Sequence, residues 1–330
     1  MKKYVEPYSD SINYDTLGSL IAQKKGNGDV RIMIAGHVDE IGFLVSKIDE
    51  EGYLRLHPIG GWWPHVLLSQ RFHVFTAKGK KFVGVIGSQA PHGMSADARA
   101  KVKEIKDLYL DIGVDNKKAV EDLGIRPGDA VVPISEFTQL ANPKYWLAKA
   151  FDDRLGAAAA VEVLKNLQNE NHPNTVFAVG TVQEEVGLRG ARTSAHAVKP
   201  DIAFAIDVTL AGDVPGSNTD AKLGKGVAIS FADSSVIGHK GLIDELIQIC
   251  QDEKIPYTFD VLAGGGTDAG EIHKFGDGVI ACTLSIPARY IHSHNGVIHE
   301  DDYNATIRLL TAFVKKCDRT LLNKLKISNR

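Results

Sequence analysis

Apolar runs of strand length alternate with amphipathic segments of helical spacing along the second half of the chain. The expected strands cover residues 175–182, 202–206, 226–231, 257–262 and 279–286, and the expected helices cover residues 154–167, 191–198, 240–252 and 301–325. Strands that alternate with helices in this way form a mostly parallel sheet with helices on both faces. This half of the chain therefore predicts an α/β domain.

The first 39 residues fit the same pattern. Leu17, Leu20 and Ile21 have the spacing of one helical face, and a glycine-rich stop follows, so we expect a helix over residues 15–25. The apolar run over residues 30–35 predicts a buried strand. Both elements are expected to belong to the α/β domain.

The intervening residues have a different texture, with short alternating segments and many turns. The expected elements are a hairpin over residues 71–87 with Lys78-Gly79-Lys80 at its turn, strands at 52–58 and 130–134, and a helix at 116–123. This pattern predicts a small β-rich domain, either a sandwich or a barrel. We therefore predict a catalytic domain formed by residues 1–39 and 146–330, interrupted by a β-rich domain formed by residues 40–145.

The composition is that of an ordinary globular protein, with 44% hydrophobic and 24% charged residues among 330. With a net charge of −3, the chain lacks the excess positive charge expected for binding nucleic acid or an anionic membrane. The three cysteines are widely spaced and form no Cys-x-x-Cys motif, and no apolar signal segment or membrane span is apparent. We therefore expect a cytoplasmic protein that binds neither nucleic acid nor membrane.

Acidic and histidine side chains lie at the ends of the expected strands, where ligands gather in an open α/β sheet. They are His37 and Asp39, Asp152 and Asp153, Glu184 and Glu185, Asp207, and His292. Each has an ordinary alternative, since the Asp152-Asp153 pair could cap a helix and a lone His292 could lie in the core. Because five strand ends share this chemistry, we predict a functional site at this edge of the sheet.

The donor types at this edge favour transition metals. Imidazole and carboxylate without cysteine suit Zn²⁺, Co²⁺ or Mn²⁺ better than Ca²⁺ or Mg²⁺. Asp152, Glu185 and Asp207 with a bridging hydroxide balance the charge of two divalent ions, and two such ions activate water and polarise a carbonyl. Glu184 is then a spare carboxylate that can move a proton. Asp39 could hold the far ring nitrogen of the histidine that precedes it by two residues.

Five motifs resemble those of one family, the TET-type, glutamyl-aminopeptidase-like dinuclear metallopeptidases. They are Gly36-His37-Val38-Asp39-Glu40-Ile41-Gly42, Phe151-Asp152-Asp153-Arg154-Leu155-Gly156, Gln183-Glu184-Glu185-Val186-Gly187, Ile206-Asp207-Val208-Thr209 and Arg289-Tyr290-Ile291-His292-Ser293. The loop Gly265-Gly266-Thr267-Asp268-Ala269 is similar to a sixth. The motifs follow the family's order and extend over most of the chain.

The resemblance implies a phosphorylase/hydrolase-like α/β catalytic domain, interrupted by a β-rich domain that serves in oligomer assembly. It implies an aminopeptidase that removes N-terminal residues from peptides with two zinc or cobalt ions per subunit. Such proteins often form homo-oligomers, including twelve-subunit tetrahedral shells. The implied ligands are Asp152 bridging both metals, His37 and Asp207 at one metal, and Glu185 and His292 at the other, with Glu184 as general base.

Two further features leave alternatives open. Many relatives have proline after Ser293, whereas this chain has His294, so His294 is a rival ligand or a substrate contact, or an ordinary loop residue. Gly266, Thr267 and Asp268 could bring the backbone close to substrate, or form a plain strand-to-helix turn.

Three other classes of protein are alternatives to the aminopeptidase. A glycoside hydrolase with paired carboxylates needs no metal and leaves His37 and His292 unexplained. A non-catalytic relative would be expected to lack a ligand or the base, and every such position is filled. A deacylase or a carboxypeptidase on a related dinuclear scaffold is the closest alternative, and it differs only in substrate.

Overall fold

A computed structural model of the protein describes residues 1–328. In chain order the helices are α1 (Lys2–Val5), α2 (Ala96–Ala100), α3 (Lys117–Leu123), α4 (Phe151–Asn166), α5 (Arg189–Val198), α6 (Lys240–Asp252), α7 (Ala269–Ile272), α8 (Glu300–Lys316) and α9 (Arg319–Ile327). The strands are β1 (Ser11–Tyr14), β2 (Leu20–Lys25), β3 (Val30–His37), β4 (Gly42–Ile48), β5 (Leu54–Ile59), β6 (Arg71–Phe75), β7 (Lys81–Gly87), β8 (Tyr109–Asp111), β9 (Ala130–Pro133), β10 (Thr138–Gln139), β11 (Tyr145–Ala148), β12 (Asn174–Thr181), β13 (Ile202–Leu210), β14 (Val227–Ala232), β15 (Tyr257–Val261), β16 (Ile280–Arg289) and β17 (Gly296–His299).

These elements form two compact units. The sheet unit consists of residues 1–39, 138–291 and the chain from 296 onward, and the barrel unit consists of residues 40–137 and 292–295. The two units differ from the predicted domains at two places. Residues 138–145 join the sheet unit because β10 pairs with β11 in the large sheet. Residues 292–295 group with the barrel unit, although β16 and β17 on either side belong to the sheet.

Eleven strands form the mixed sheet of the sheet unit, in the order β1-β2-β12-β3-β13-β16-β17-β11-β10, with β14 on β16 and β15 on β14. The strands β12, β3, β13 and β16 are parallel to one another, and antiparallel strands extend the sheet on both sides. The predicted fold class, an α/β domain with a mostly parallel, mixed sheet and a separate β-rich domain, is confirmed.

Alternating side chains bury both faces of this sheet. On β3, Ile32 and Ile34 point into the core that contains α4, α6 and α8, whereas Met33 and Ala35 point into the core that contains α5 and α7. Gly36 lets α4 approach the end of β3, because a Cβ there would lie 2.2 Å from the Ala157 nitrogen. The start of α4 is thereby placed directly beside the carboxyl end of β3.

The barrel unit is a closed barrel of six strands, in the order β4-β5-β8-β7-β6-β9. Its interior is filled by apolar side chains, among them Phe43, Leu54, Phe72 and Leu110, each at most 1% exposed. The predicted hairpin exists as β6 and β7, which pair antiparallel from Arg71 opposite Val85. Of the two architectures expected for this region, the barrel is therefore the correct one.

The helix predicted over residues 15–25 is wrong. Asp15 accepts hydrogen bonds from the Gly18 and Ser19 amides, which closes a turn between β1 and β2. The two strands pair antiparallel. Leu20 and Ile21 then alternate between the two faces of the sheet instead of sharing one helical face.

The long helix predicted over residues 301–325 is divided into α8 and α9. The Asn174 side chain donates hydrogen bonds to the Val314 and Cys317 carbonyls at 2.7 and 2.8 Å, so it satisfies the end of α8. Asp318 then caps α9 by accepting a hydrogen bond from the Leu321 amide. Within residues 1–328, no helix combines the length and apolar character that crossing a membrane requires.

Candidate metal centre

Neighbouring parallel strands bring the predicted site residues of the sheet unit together. β12 and β13 flank β3, and Thr181 at the end of β12 is paired with His37 at the end of β3. Glu184 and Glu185 follow β12 by a few residues, and Asp207 lies within β13. Because these strand ends meet at one edge of the sheet, their side chains converge there.

Two groups of imidazole and carboxylate side chains could each hold a metal ion. In the first group, His37, Asp152 and Glu185 offer ligand atoms within 4.8 Å of one another. His37 Nε2 lies 3.0 Å from Asp152 Oδ1. The structure therefore brings together three of the residues that the sequence predicts as ligands.

The second group combines His37 and Asp207 with Asp153, and all three side chains are buried. Asp153 accepts hydrogen bonds from the His37 amide at 3.0 Å and from the Gly156 amide at 2.9 Å. The sequence places Asp153 at this edge of the sheet, but it was not among the predicted ligands. The glycine at position 156 is the sequence feature that indicates the position of this carboxylate. A Cβ at Gly156 would lie 2.4 Å from Asp153 Oδ2, so the Asp153 carboxylate fits only beside a glycine.

The electrostatics of this edge favour a cation. Burial raises the pKa of Asp153 and of Asp207 well above the ordinary value, and neighbouring carboxylates raise both further. Burial alone lowers the pKa of His37, but the hydrogen bond with Asp152 and the charges of nearby aspartates raise it well above its usual range. Crowded buried carboxylates are costly unless positive charge compensates them.

Divalent transition metals fit these residues. The donors are one imidazole and several carboxylate oxygens, a set that suits Zn²⁺, Co²⁺ or Mn²⁺. His37 is oriented as metal-binding histidines are, since its second ring nitrogen, Nδ1, lies 3.1 Å from the main-chain oxygen of Asp39. The chemistry and the orientation of the donors thus both agree with a metal centre.

Glu184 lies beside this centre and is 9% exposed. Its Oε2 is 3.7 Å from His37 Nε2. Burial raises the pKa of Glu184 to about 8; the nearby His37 opposes this rise, and Asp268 adds to it. A carboxyl group with such a pKa can exchange a proton near neutral pH.

Asp39 acts on the Glu184-Glu185 turn through its side chain. Its carboxylate oxygens accept hydrogen bonds from the Glu184 and Glu185 amides, both at 3.2 Å. We expected this carboxylate to hold the His37 ring, but the main-chain oxygen of Asp39 makes the shorter contact, and Asp39 Oδ1 lies 3.7 Å from Nδ1. The Asp39 side chain therefore connects the exit of β3 to the exit of β12.

The glycine-rich loop before α7 is tied to the sheet by its own side chains. Asp268 is 3% exposed and accepts a hydrogen bond of 2.5 Å from the Thr181 hydroxyl. The Thr267 hydroxyl bonds with that of Thr283 at 2.7 Å. Gly266 permits close contact with Ser235, whose Oγ would lie 2.9 Å from a Cβ at this position. Asp268 makes no side-chain cap with α7, so a plain helix cap does not describe it.

His292 and His294 belong to the barrel unit. His292 Nδ1 lies 2.7 Å from the Gly61 carbonyl oxygen. His294 is 3% exposed and packs against Trp62 and Phe72. Burial lowers the pKa of His294 to about 4. The two metal-binding groups found within residues 1–328 lie wholly in the sheet unit, so the ligand role of His292 stays a prediction.

The chain matches the family model described as M42 glutamyl aminopeptidase over residues 18–309. The chain belongs to the M42 glutamyl aminopeptidase family. It is 36% identical to the glutamyl aminopeptidase of Lactococcus lactis subsp. cremoris over 318 residues, which cover 96% of this chain and 88% of that protein. Membership makes the chain an aminopeptidase, which is an exopeptidase and a hydrolase, and it confirms the predicted family.

Solved structures of TET aminopeptidases share the M42 fold seen here. The TET aminopeptidase from the marine sediment archaeon Thaumarchaeota archaeon SCGC AB-539-E09 superposes with a TM-score of 0.95 at 42% identity, covering 98% of this chain and 92% of that one. The TET1 peptidase of Pyrococcus horikoshii, described as assembling into a tetrahedron or a large octahedral shell, superposes with a TM-score of 0.86 at 34% identity, covering 96% and 92%.

Proposed function

We propose that this M42 aminopeptidase hydrolyses N-terminal residues from peptides with two divalent metal ions, and with Glu184 as the general base. The observation that carries the proposal is the pair of imidazole–carboxylate groups around His37, at one edge of the sheet. A glycoside hydrolase with paired carboxylates would not need such groups.

The residues that would hold the ions are His37, Asp152, Glu185, Asp207 and His292, and Asp152 would contact both ions. The first four lie in the two groups of the sheet unit, which supports this set. His292 is included because it stands at the matching position of the last motif. Two bound divalent ions supply Lewis acidity toward the scissile carbonyl and lower the pKa of water. Zinc or cobalt is proposed, and manganese is the third candidate for this donor set.

Glu184 is proposed to move the proton of the reaction. Its carboxylate takes a proton from the attacking water and returns it to the leaving amine, which needs a pKa close to the working pH. The burial of Glu184 and its position 3.7 Å from His37 Nε2 support this role. Asp39 holds the Glu184 amide, so we assign it the positioning of the base.

The proposal extends to assembly and location. Because the P. horikoshii TET1 peptidase is described as forming a tetrahedron or an octahedral shell, we propose a homo-oligomer, with a twelve-subunit tetrahedral shell as its form. The barrel unit is proposed to serve in this assembly. Three buried, free cysteines support a reducing, cytoplasmic location.

The substrate class is tested with protein from which the metal ions have been removed by a chelator. We would remove metals, restore zinc, cobalt or manganese, and follow cleavage of one peptide in three forms: with a free N-terminus, N-acetylated, and C-terminally amidated. We expect metal-dependent release of the first residue from the free and the amidated peptides, and none from the acetylated one. Cleavage of the acetylated peptide would indicate a deacylase, and loss of the last residue a carboxypeptidase. Metal-independent cleavage of a glucan would support a glycoside hydrolase.

A further inference from the structure

Residues 292–295 lie between β16 and β17 in the chain and belong to the barrel unit. We propose that His294 is a positioning residue that anchors the segment of residues 292–295 in the barrel unit. The Gly61 carbonyl can then orient the His292 ring for metal binding. The inference rests on the proposed function, in which His292 is a ligand. It assigns to His294 an anchoring role instead of the roles of ligand or substrate contact.

An aromatic box holds His294. The centroid of its ring lies 5.6 Å from that of Trp62 and 4.8 Å from that of Phe72, and the side chain is 3% exposed. The box is rigid because Trp62 stacks on Phe43 at 5.2 Å and donates a hydrogen bond from Nε1 to the Gly42 carbonyl. Edge-to-face and tilted contacts of this kind are favourable for an imidazole ring. His294 is therefore fixed to the barrel core by packing.

His292 is oriented by the loop that carries the box. Its Nδ1 lies 2.7 Å from the Gly61 oxygen, and a carbonyl oxygen can only accept, so Nδ1 carries the proton. The lone pair of the neutral ring is then on Nε2, which is the arrangement that metal-binding histidines use. A Cβ at Gly61 would lie 3.2 Å from this nitrogen, so the close contact favours glycine. Gly61 directly precedes Trp62, so one short loop contacts both histidines: Gly61 contacts His292, and Trp62 packs against His294.

The backbone at and beside this segment adopts an uncommon conformation. Tyr290 and His292 have φ values of +60° and +57°, a conformation that non-glycine residues adopt only when their surroundings impose it. Asn295, at the other end, accepts a hydrogen bond of 2.7 Å from the Ser135 hydroxyl of the barrel unit. His294 lies between these points and is the buried member of the segment. Removing its ring would take the packing from the middle of a strained turn.

The test compares His294→Phe and His294→Ala with His292→Ala and with His57→Ala, a control at an exposed histidine of the barrel. Binding of Co²⁺ is measured by equilibrium dialysis, and amide hydrogen exchange is followed over residues 290–296. We expect His294→Phe to keep both ions and normal exchange, because a phenyl ring fills the box. We expect His294→Ala to speed exchange and to weaken one of the two ions by about 10- to 100-fold, the usual effect of losing a residue that orients a ligand.

Each outcome has a defined meaning. If His294→Phe lost an ion as His292→Ala does, His294 would be a ligand and the inference would be wrong. Unchanged exchange and metal binding in His294→Ala would also overturn it. Should His294→Ala fail to fold, Gly61→Ala replaces it, and the same single ion should weaken. If His292→Ala bound both ions normally, the ligand role in the proposed function would fail, while exchange would still test the anchor.

Discussion

Glu184 and Glu185 are neighbours in the chain but have different surroundings. Glu185 belongs to the group of His37 and Asp152, where it can contribute a ligand atom. Glu184 is 9% exposed and lies beside His37. The Asp39 carboxylate accepts hydrogen bonds from both amides, which holds the backbone of this turn beside the end of β3. One carboxylate can therefore bind metal while the other moves a proton.

Replacing Glu184 by glutamine should remove proton transfer and keep the metals. Because general acid–base catalysis contributes about 10²- to 10⁴-fold, we expect turnover to fall by that factor. Turnover on an aminoacyl-arylamide and metal content by mass spectrometry check this together. Glu185→Gln is the matched contrast and should lose metal. Near-normal turnover of Glu184→Gln at full metal content would exclude Glu184 as the base.

Replacing Asp152 by asparagine tests its proposed role as a ligand of both ions. We expect the affinity for both ions to fall by more than about 100-fold, because even a residue that only orients a ligand is worth about 10- to 100-fold. Equilibrium dialysis with zinc measures the loss, with the exposed Asp277→Asn variant as control. A variant that still bound two ions per chain at wild-type affinity would rule out a bridging role.

The chemistry of the site could be predicted from the sequence because its members lie at strand ends. His37, Asp152, Glu185 and Asp207 were found in this way, and the structure groups them. Asp153 was placed at this edge but not predicted as a ligand, because an aspartate at the start of a helix has an ordinary explanation as a cap. Only its contacts across the sheet, with the His37 amide, reveal a different position.

Elements with strong periodicity were predicted best. The central strands and α6 appear close to their expected bounds, because apolar runs and amphipathic faces are set by local sequence. The β1–β2 hairpin differs from the predicted helix because the spacing of Leu17, Leu20 and Ile21 fits both structures. The break between α8 and α9 depends on Asn174, which is more than a hundred residues away in the chain. The Asp318 cap of α9 is local, but the Asn174 contacts that end α8 come from a distant part of the chain.

Glu245 on α6 connects three helices and gives a pH-dependent prediction. Its side chain is 6% exposed and pairs with Lys316 of α8 and Lys324 of α9. Burial raises the pKa of Glu245, but its bonds with the two lysines outweigh burial and lower it below the ordinary value of 4.5. A lowered pKa in the folded state means stability that is present above pH 4.5 and is lost as the pH falls.

We therefore expect Glu245→Gln to reduce the free energy of unfolding by about 1 kcal/mol at pH 7, since both lysines are largely exposed. The difference from the wild type should shrink below pH 4.5, where the wild-type carboxylate becomes protonated. Urea unfolding of both proteins at pH 7 and at a pH below 4.5 measures this difference. Glu162→Gln is the control, because Glu162 pairs with Lys165 at a half-exposed position. An equal difference at both pH values would contradict this account.

At the scale of the whole molecule, the chain builds one sheet unit from three separate segments and one barrel unit from two. The change of texture in the sequence predicted the barrel. It did not predict that residues 292–295 would group with it, because this depends on His294 meeting Trp62 and Phe72.

The size of the assembly is directly measurable. Twelve chains of 35.8 kDa would give a particle of about 430 kDa. We expect sedimentation equilibrium to show this mass, or a smaller closed homo-oligomer that approaches it as protein concentration rises. A monomer that persists over the whole concentration range would contradict the proposed homo-oligomer, and it would leave the metal chemistry untouched.

The central claim is that two divalent ions bound by one chain support peptide hydrolysis. It is tested most directly by titrating the metal-stripped protein with Co²⁺, while bound metal per chain and the rate of N-terminal residue release are recorded in the same samples. We expect no release without metal, and a rate that reaches its plateau at two ions per chain. Full activity in the stripped protein, or a plateau at one bound ion, would contradict it.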